Sequence, residues 1–334
     1  MKLALIGCNG HWSSYGAAVK ADLGVELCAV STVTDDERLS SFDRAPGMNP
    51  DVRRYRDPQQ LLDKERPDLV QISCRSDRTA GLASVCLKAG IPVVAEKPLA
   101  MDTDSLAALW EASAKTPIVP MHTQRSEPWT AALRDAVRAG NIGSPRISSH
   151  QKSYRWGETR PEWFKLRCTF PGVAPYIGIH AFDWIVWILG GEWEEVSGWE
   201  SAAARPEWAA CASHAGYVLR GSRGQIATVT LDYLRPAAAA THGDERVRIA
   251  GDAGVLEMGH QSGINRVIRE NSPEQPLALK PQEDWFVSFV KSLQGRGVSV
   301  VDRTSAFRAT EIALKAQVAA DTGRAQRLDA TRYR

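Results

Sequence analysis

Residues 2–16 read "KLALIGCNGHWSSYG", and their order decides the fold. The apolar run Lys2–Ile6 is a short buried strand, a glycine turn follows at once, and Ser13 and Ser14 stand ready to cap a helix or to reach phosphate oxygens. A strand, a glycine-rich turn and a helix start form the context in which backbone N–H groups and a helix N-terminus bind a pyrophosphate. Set on the pattern G-x-G-x-x-G, Gly7 takes the first position, Asn9 the second and Trp12 the third, with Gly10 between them. Asn tolerates the left-handed backbone that glycine supplies, so Asn9 is a mild departure. Trp12 is too bulky for the close approach of helix and strand, which predicts a reshaped turn with its ring pointing outward. Gly7, Cys8, Asn9, Gly10, His11 and Trp12 are the expected phosphate-side contacts.

Outward from this turn, residues 1–122 alternate short apolar runs ("KLALIG", "VELCAVS", "DLVQISC", "IPVVAEK", "PIVPMH") with helical periods such as "TAGLASVCLKAG" and "DTDSLAALWEASAK". That alternation predicts parallel β-α-β units and a doubly wound sheet. From about residue 145 the runs "RISSHQKSY", "EVSGWESAAA", "AGYVLRG", "GQIATVTLDYL", "RVRIAG" and "GVLEMGH" are separated by turns, as in an antiparallel sheet, and two helices close the chain. The expected class is α/β: an N-terminal doubly wound parallel sheet over 1–122, and a C-terminal α+β domain with an open, mostly antiparallel sheet over 123–334. The last helix is expected to pack back on the first domain.

The 334 residues carry 41 Lys and Arg against 39 Asp and Glu, a net charge of +2, and no basic run with interleaved aromatics. Nothing in this recommends nucleic acid or an anionic membrane as a partner. The first apolar run meets glycine too early for a signal peptide, so a cytoplasmic protein is expected. Six cysteines lie scattered without metal-like spacing and read as small buried thiols; no metal is expected.

Past the second strand, a carboxylate ordinarily accepts the adenosine ribose hydroxyls of a dinucleotide. Here Ser31 and Thr32 occupy that place, with Asp35, Asp36 and Arg38 expected in the first turn of a following helix, and both NAD and NADP stay open. Cys74 and Arg75, after "DLVQIS", complete the expected cofactor edge. Residues 175–191, "PYIGIHAFDWIVWILGG", read as a buried helix on which Tyr176, His180 and Asp183 share one polar stripe. Buried polar groups need a partner or a function. Nearby, "SYRWGETRPEWFKLR" offers Tyr154, Arg155, Trp156, Arg160, Trp163 and Lys165, rings and bases suited to stacking on sugar faces and binding hydroxyls. His242 is a loop histidine with a solvated role expected.

Several of these pieces together resemble the glucose-fructose oxidoreductase, inositol dehydrogenase and rhizopine catabolism family. "VVAEKPLAMD" at 93–102 carries its Glu-Lys-Pro signature at Glu96, Lys97 and Pro98. "DLVQISCRSDRTAGLASVCLKAG" is similar to its fourth strand and next helix, "AVRAGNIGSPR" to its interdomain link, and "IAGDAGVLEMG" to its β-hairpin. The resemblance runs from near residue 3 to about 324. It implies a Rossmann domain binding NAD or NADP, and a second domain whose open sheet makes homodimer or homotetramer contacts. It also implies a sugar, polyol or related hydroxy substrate lying between the domains. Lys97 then approaches the reacting hydroxyl and the nicotinamide, the Lys97–Pro98 peptide is cis, and Glu96 and Arg125 lie near the cofactor. The family's D-x-G-x-H motif corresponds to Tyr176-Ile177-Gly178-Ile179-His180, followed by Asp183, with Tyr176 in the place of the carboxylate.

The chemistry requires a group that takes the hydroxyl proton as hydride leaves the carbon. His180 suits this, since an imidazole pKa near ~6.5 permits transfer in either direction near neutrality and a neighbouring Asp183 can fix its tautomer. Tyr176 is the rival proton carrier, with Lys97 lowering its pKa. The resulting expectation is an NAD(P)-dependent oxidoreductase of a sugar, sugar derivative or cyclitol. Catalytic groups are Lys97, His180 and Tyr176, with substrate contacts from Lys97, Tyr154, Arg155, Trp156, Trp163, Tyr176, His180 and Asp183. An internal-redox glycosidase or epimerase relative and a non-catalytic sugar or dinucleotide sensor remain as alternatives.

Overall fold

The computed structural model describes residues 1–157, 160–329 and 331–333, so Glu158 and Thr159 of the aromatic stretch lie outside the described residues. By compactness the chain divides into two units, Met1–Thr123 with Glu283–Ala306, and Gln124–Gln282 with Phe307–Arg334.

In the first unit, β1 (Lys2–Ile6), β2 (Glu26–Ser31), β3 (Arg53–Tyr55), β4 (Leu69–Ile72), β5 (Val93–Ala95) and β6 (Ile118–Pro120) form one sheet in the order β3-β2-β1-β4-β5-β6. Every pair in it is parallel. Helices α1 (Gly16–Lys20), α2 (Pro58–Glu65), α3 (Ser76–Lys88) and α4 (Thr103–Ala112) connect the strands. α4 starts where the Asp102 carboxylate accepts from the N–H groups of Asp104 and Ser105. The central strands β1, β4 and β5 are buried along nearly their whole length because both faces of the sheet are covered there, as in parallel sheets generally. Leu3, Leu5, Val30, Leu69 and Val94 share a core with Trp285, Phe286, Phe289 and Val290, which come from near the end of the chain.

Two expectations fail here. β3, "RRY", has no apolar signature and was not predicted; it joins the sheet by pairing Arg53–Tyr55 with Ala29–Ser31. No α-helix follows β2 directly: residues 34–38 form a turn and only a 3-10 segment, Leu39–Phe42, comes after it.

The second unit begins with α5 (Pro128–Arg138) and is built on a nine-stranded sheet. Its strands are β7 (Pro145–Tyr154), β8 (Trp193–Ser201), β9 (His214–Gly221), β10 (Ile226–Asp232), β11 (Gly243–Gly251), β12 (Gly254–Gly259), β13 (Ile264–Arg269), β14 (Ser272–Gln275) and β15 (Gln326–Arg327). The order is β14-β13-β12-β11-β7-β10-β9-β8-β15, antiparallel except for the parallel pair β7·β10. Strand alternation buries Ala215, Tyr217 and Leu219 of β9 and Ala227, Val229 and Leu231 of β10 on one face, and leaves Ile147, Val218 and Ile226 exposed on the other.

The segment 175–191 lies on the buried face, and its helix is not uniform. A π-helical turn, Ala174–Gly178, leads into α6 (Ile179–Trp184), and a second π turn, Ile185–Leu189, follows. Pro175 brings no N–H to the first turn, and π geometry of this kind recurs at functional sites. Gly178 permits close packing: a Cβ there would stand 2.6 Å from Leu231 Cδ1. Two further helices, α7 (Trp285–Leu293) and α8 (Arg303–Thr322), close the chain. Of the six thiols only Cys74, Cys86 and Cys211 are buried, and Cys168 is exposed. Among the described residues no helix is long and apolar enough to cross a membrane.

Candidate active site

In the first unit the glycine turn stands at the C-terminal end of β1. β4 lies on one side of β1 and β2 on the other, so this is the switch point of the sheet, where open α/β folds bind ligands. Gly7 has φ +83°, and a Cβ there would meet the Ser73 carbonyl oxygen at 2.5 Å. Gly10 has φ +57°, and its Cβ would fall 2.4 Å from Glu96 Oε2. Gly7 is therefore restricted to glycine by conformation and by fixed backbone, while at Gly10 the left-handed φ disfavours other residues and a Cβ would have to push the Glu96 carboxylate aside. Asn9 donates its backbone N–H to Ser73 O at 2.8 Å and its side-chain amide to Glu37 Oε1 at 2.8 Å.

Two expectations about this turn are corrected. Trp12 does not point outward: its ring meets Phe42 edge to face at 6.0 Å and, half-buried, packs against the core. Neither Ser13 nor Ser14 caps α1, which starts only at Gly16 behind Tyr15 and has no side-chain cap. The reason is packing, since Tyr15 is fully buried and its hydroxyl donates to Pro46 O at 2.6 Å, which holds residues 10–15 in successive turns. A run of turns with positive-φ glycines, rather than a long helix, therefore follows the end of β1.

Glu96 braces this turn from the neighbouring strand end. Its Oε2 accepts the His11 backbone N–H at 2.8 Å, and His11 Nδ1 lies 3.1 Å from each carboxylate oxygen. Burial alone would push the Glu96 carboxyl up, but the His11 hydrogen bonds and the charges of His11 and Lys97 override it and hold the carboxyl below its ordinary value. Lys97 is buried, the Lys97–Pro98 peptide is cis, and burial lowers the ammonium pKa against the opposing pull of Glu96. Ser31 is fully buried, and its hydroxyl donates to Thr32 O at 2.8 Å, so it is not offered to a ribose. Cys74 is buried beside the Thr79 hydroxyl, its thiol pushed up to about 12 by burial. Arg75 grips Asp77 with two hydrogen bonds of 2.6 and 3.0 Å at the start of α3.

Sequence reasoning passed over Glu37. Its carboxylate is buried beyond β2, with Oε2 accepting from the Val33 N–H at 2.6 Å and Oε1 from Asn9. Burial pushes this carboxyl up, opposed by the N–H groups of Val33, Thr34 and Cys8.

In the second unit α6 carries His180 and Asp183, both buried. Asp183 is held by Arg125, whose Nε lies 3.0 Å from Oδ2 and whose Nη2 lies 2.6 Å from Oδ1. The Arg125 guanidinium also lies over the Trp187 ring at 5.5 Å. Tyr176 is half-buried, its ring packed among Phe164 (4.9 Å), Phe170 (5.0 Å) and Trp163 (6.2 Å). Trp156 meets Trp208 at 5.3 Å and Tyr233 at 5.4 Å, and the Arg160 guanidinium lies 4.3 Å from both the Trp156 and Tyr233 rings. Arg155 donates its backbone N–H to His242 O at 3.0 Å.

A second buried network, unforeseen from the sequence, lies on β7 and β11. Lys152 Nζ donates to Glu245 Oε1 at 2.5 Å, and the same oxygen accepts from Gln124 Nε2 at 2.6 Å and the Tyr154 hydroxyl at 2.9 Å. Burial would raise the Glu245 carboxyl, yet the Lys152 charge and the converging donors bring it down to about 2. Among the described residues no group of three His, Cys, Asp or Glu side chains is placed to hold a metal.

The sequence of residues 1–122 matches the oxidoreductase family with an NAD-binding Rossmann fold, and residues 130–257 match the GFO/IDH/MocA C-terminal domain. The chain belongs to the GFO/IDH/MocA family. A myo-inositol 2-dehydrogenase of Thermotoga maritima is 26% identical over 290 residues, covering 85% of this chain and 79% of that protein. A solved structure from Thermotoga maritima is 28% identical, covers 98% of this chain and 100% of its own, and superposes with a TM-score of 0.90. Levoglucosan dehydrogenase in complex with NADH shares the fold, at 14% identity and a TM-score of 0.81 over 98% of this chain and 99% of that one.

As a GFO/IDH/MocA member the chain is an NAD(P)-dependent oxidoreductase acting on CH–OH groups. Within the family frame, Glu96, Lys97 and the glycine turn are contiguous in the first unit through His11. In the second, His180, Asp183 and Arg125 are joined through α6 and the 3-10 turn Thr123–Ser126. The aromatic set is continuous: Trp163, Phe164 and Tyr176 pack together, and the Arg160 guanidinium links Phe164, at 4.8 Å, to Trp156 and Tyr233.

Proposed function

We propose that this chain moves a hydride between a nicotinamide and a hydroxyl or keto carbon of a cyclitol, sugar or sugar derivative. The observation that carries the reading is Lys97, a buried ammonium at the C-terminal end of a parallel-sheet strand, bonded through its neighbour Glu96 to the glycine turn. The inositol 2-dehydrogenases among its relatives support a polyhydroxylated ring as substrate.

When bound, the dinucleotide supplies or accepts the hydride. Lys97 donates a hydrogen bond to the reacting oxygen and stabilises the negative charge that builds there as the O–H proton departs. Its lowered pKa makes the ammonium a stronger donor, while Glu96 keeps it charged. His180 receives the hydroxyl proton in oxidation and returns it in reduction. Tyr176, standing where relatives place a carboxylate, contacts the substrate with a neutral hydroxyl, so the imidazole works without an adjacent anion at that position. The ion pair of Arg125 with Asp183 fixes the turn of α6 on which His180 sits.

The test follows absorbance at 340 nm over a panel of inositols, hexoses and their acids with NAD and with NADP. Turnover abolished in Lys97→Ala and strongly reduced in His180→Asn, with coenzyme still bound, is the expected result. Turnover that survives Lys97→Ala unchanged, or saturable sugar binding with no turnover on any coenzyme, overturns the assignment.

A further inference from the structure

We infer that Glu37 is the coenzyme-selecting residue of this chain, a carboxylate that occupies the adenosine-ribose position and excludes the 2′-phosphate of NADP. The proposal rests on the dinucleotide reading of the glycine turn and not on the identity of the sugar.

Ser31 and Thr32 leave the tip of β2 without a carboxylate, and both are buried. The chain does not run into a helix there. It turns through residues 34–38 and brings Glu37 back to the strand end, where Oε2 accepts the Val33 N–H at 2.6 Å, one residue past Thr32. Oε1 simultaneously accepts the Asn9 side-chain amide at 2.8 Å, in the middle of the glycine turn. One carboxylate thus ties the turn after β1 to the turn after β2, the two turns that flank an adenosine ribose in an open α/β sheet.

Its neighbours add to the sign of the field. Asp35 and Asp36 are exposed beside it, and the one base of the segment 34–38 is Arg38, also exposed. A cluster with three acidic side chains against one base repels a dianionic phosphate and accepts hydrogen bonds from ribose hydroxyls. Asn9 acquires a role as well. Where glycine is usual in the second position of the motif, its amide fastens the phosphate turn to the ribose-binding carboxylate.

The test is fluorescence titration of the full-length protein with NADH and with NADPH, which needs no substrate and no turnover. The unsubstituted protein is expected to bind NADH at least about tenfold tighter than NADPH. Glu37→Gln, which keeps the shape and the acceptor oxygen but removes the charge, is expected to shrink that ratio about tenfold or more, mainly by strengthening NADPH. In the unsubstituted protein the ratio is also expected to fall as salt is raised, because screening weakens repulsion. Equal binding of the two coenzymes by the unsubstituted protein overturns the proposal. So does a Glu37→Gln protein that loses both affinities in parallel, which would make Glu37 only a brace for the turn. Failure to bind either coenzyme overturns the dinucleotide reading together with it, whereas absence of sugar turnover with a normal NADH preference overturns only the substrate assignment.

Discussion

The guanidinium of Arg125 and the carboxylate of Asp183 form a buried two-pronged ion pair, with side chains only 1% and 2% exposed. It joins the 3-10 turn Thr123–Ser126 to α6, and Trp187 covers one face of the guanidinium. Both groups were expected from the sequence at a binding site; what the structure adds is that they hold each other.

Breaking this pair from one side strands a charge in a dry environment. Asp183→Asn is expected to cost about 3–5 kcal/mol, the usual scale when one partner of a buried pair is removed. Replacing both, as Arg125→Met with Asp183→Leu, should recover a large part of the loss, since desolvation offsets much of the pair's own attraction. Urea unfolding of the three proteins checks this. A single-variant loss under about 1 kcal/mol would mean that the pair is solvated and does not fix α6.

Gly10 makes a sharper test of the turn. Its φ of +57° and the 2.4 Å approach of its would-be Cβ to Glu96 Oε2 mean that Gly10→Ala must displace the carboxylate as well as strain the backbone. The backbone part alone is worth about 1–2 kcal/mol. Gly10→Ala should therefore lower the melting temperature and weaken coenzyme binding together. Adding Glu96→Ala to it should restore some stability by removing the clash, without restoring coenzyme affinity, because His11 then loses its anchor. If the double variant binds NADH normally, Glu96 is not what holds the turn.

How much of this was legible in the sequence depended on distance along the chain. The parallel sheet was legible because "LALI" and "VVA" are apolar on both faces and "LVQI" is apolar but for Gln71, and the glycine turn because it is contiguous. β3 was not, since its three residues are polar and its pairing with β2 is set by the sheet and not by its own pattern. The buried helix around His180 was legible as a helix, but a segment apolar on nearly every side carries no periodicity that distinguishes α from π pitch. The Lys152–Glu245 bond depends on the β7·β11 register, which sets residues 152 and 245 opposite each other, and no local pattern reveals that pairing. The clasp of His11 by Glu96 joins residues 85 apart in the chain and was hidden for the same reason. Glu37 could have been found, as an acid just past the second strand, had the following helix not been assumed.

Lys97 also sets an expectation on the pH dependence of catalysis. Burial lowers its pKa, so the ammonium should give up its proton at a lower pH than an exposed lysine, and hydrogen-bond donation to the substrate should fail on the alkaline side. Glu96→Gln removes the opposing anion and should move the alkaline limb of kcat/KM to still lower pH, with the variant's coenzyme affinity measured separately by fluorescence. An alkaline limb that stays fixed in Glu96→Gln would show that the titrating group lies elsewhere.

His150 offers the last expectation, one of stability. It lies on β7 fully within the second unit, with Nε2 3.0 Å from the Ser148 hydroxyl and the ring 6.3 Å from that of Trp184. Burial brings its pKa down from 6.5 to about 3, so the folded protein keeps the imidazole neutral where the unfolded chain protonates it. Its contribution is therefore complete above pH 6.5 and is lost progressively as the pH falls toward 3. Each pH unit in that window should take up to about 1.4 kcal/mol from the unfolding free energy. Glu245, held down to about 2 from a starting value of 4.5, adds its own loss only in the lower part of that window and below it. Unfolding in urea at pH 7.5, 6 and 5 should thus show a fall in stability that His150→Gln flattens by up to one proton's worth of slope. Parallel pH profiles for the two proteins would mean that His150 takes up its proton within the fold, through an opening of the sheet face beside Trp184.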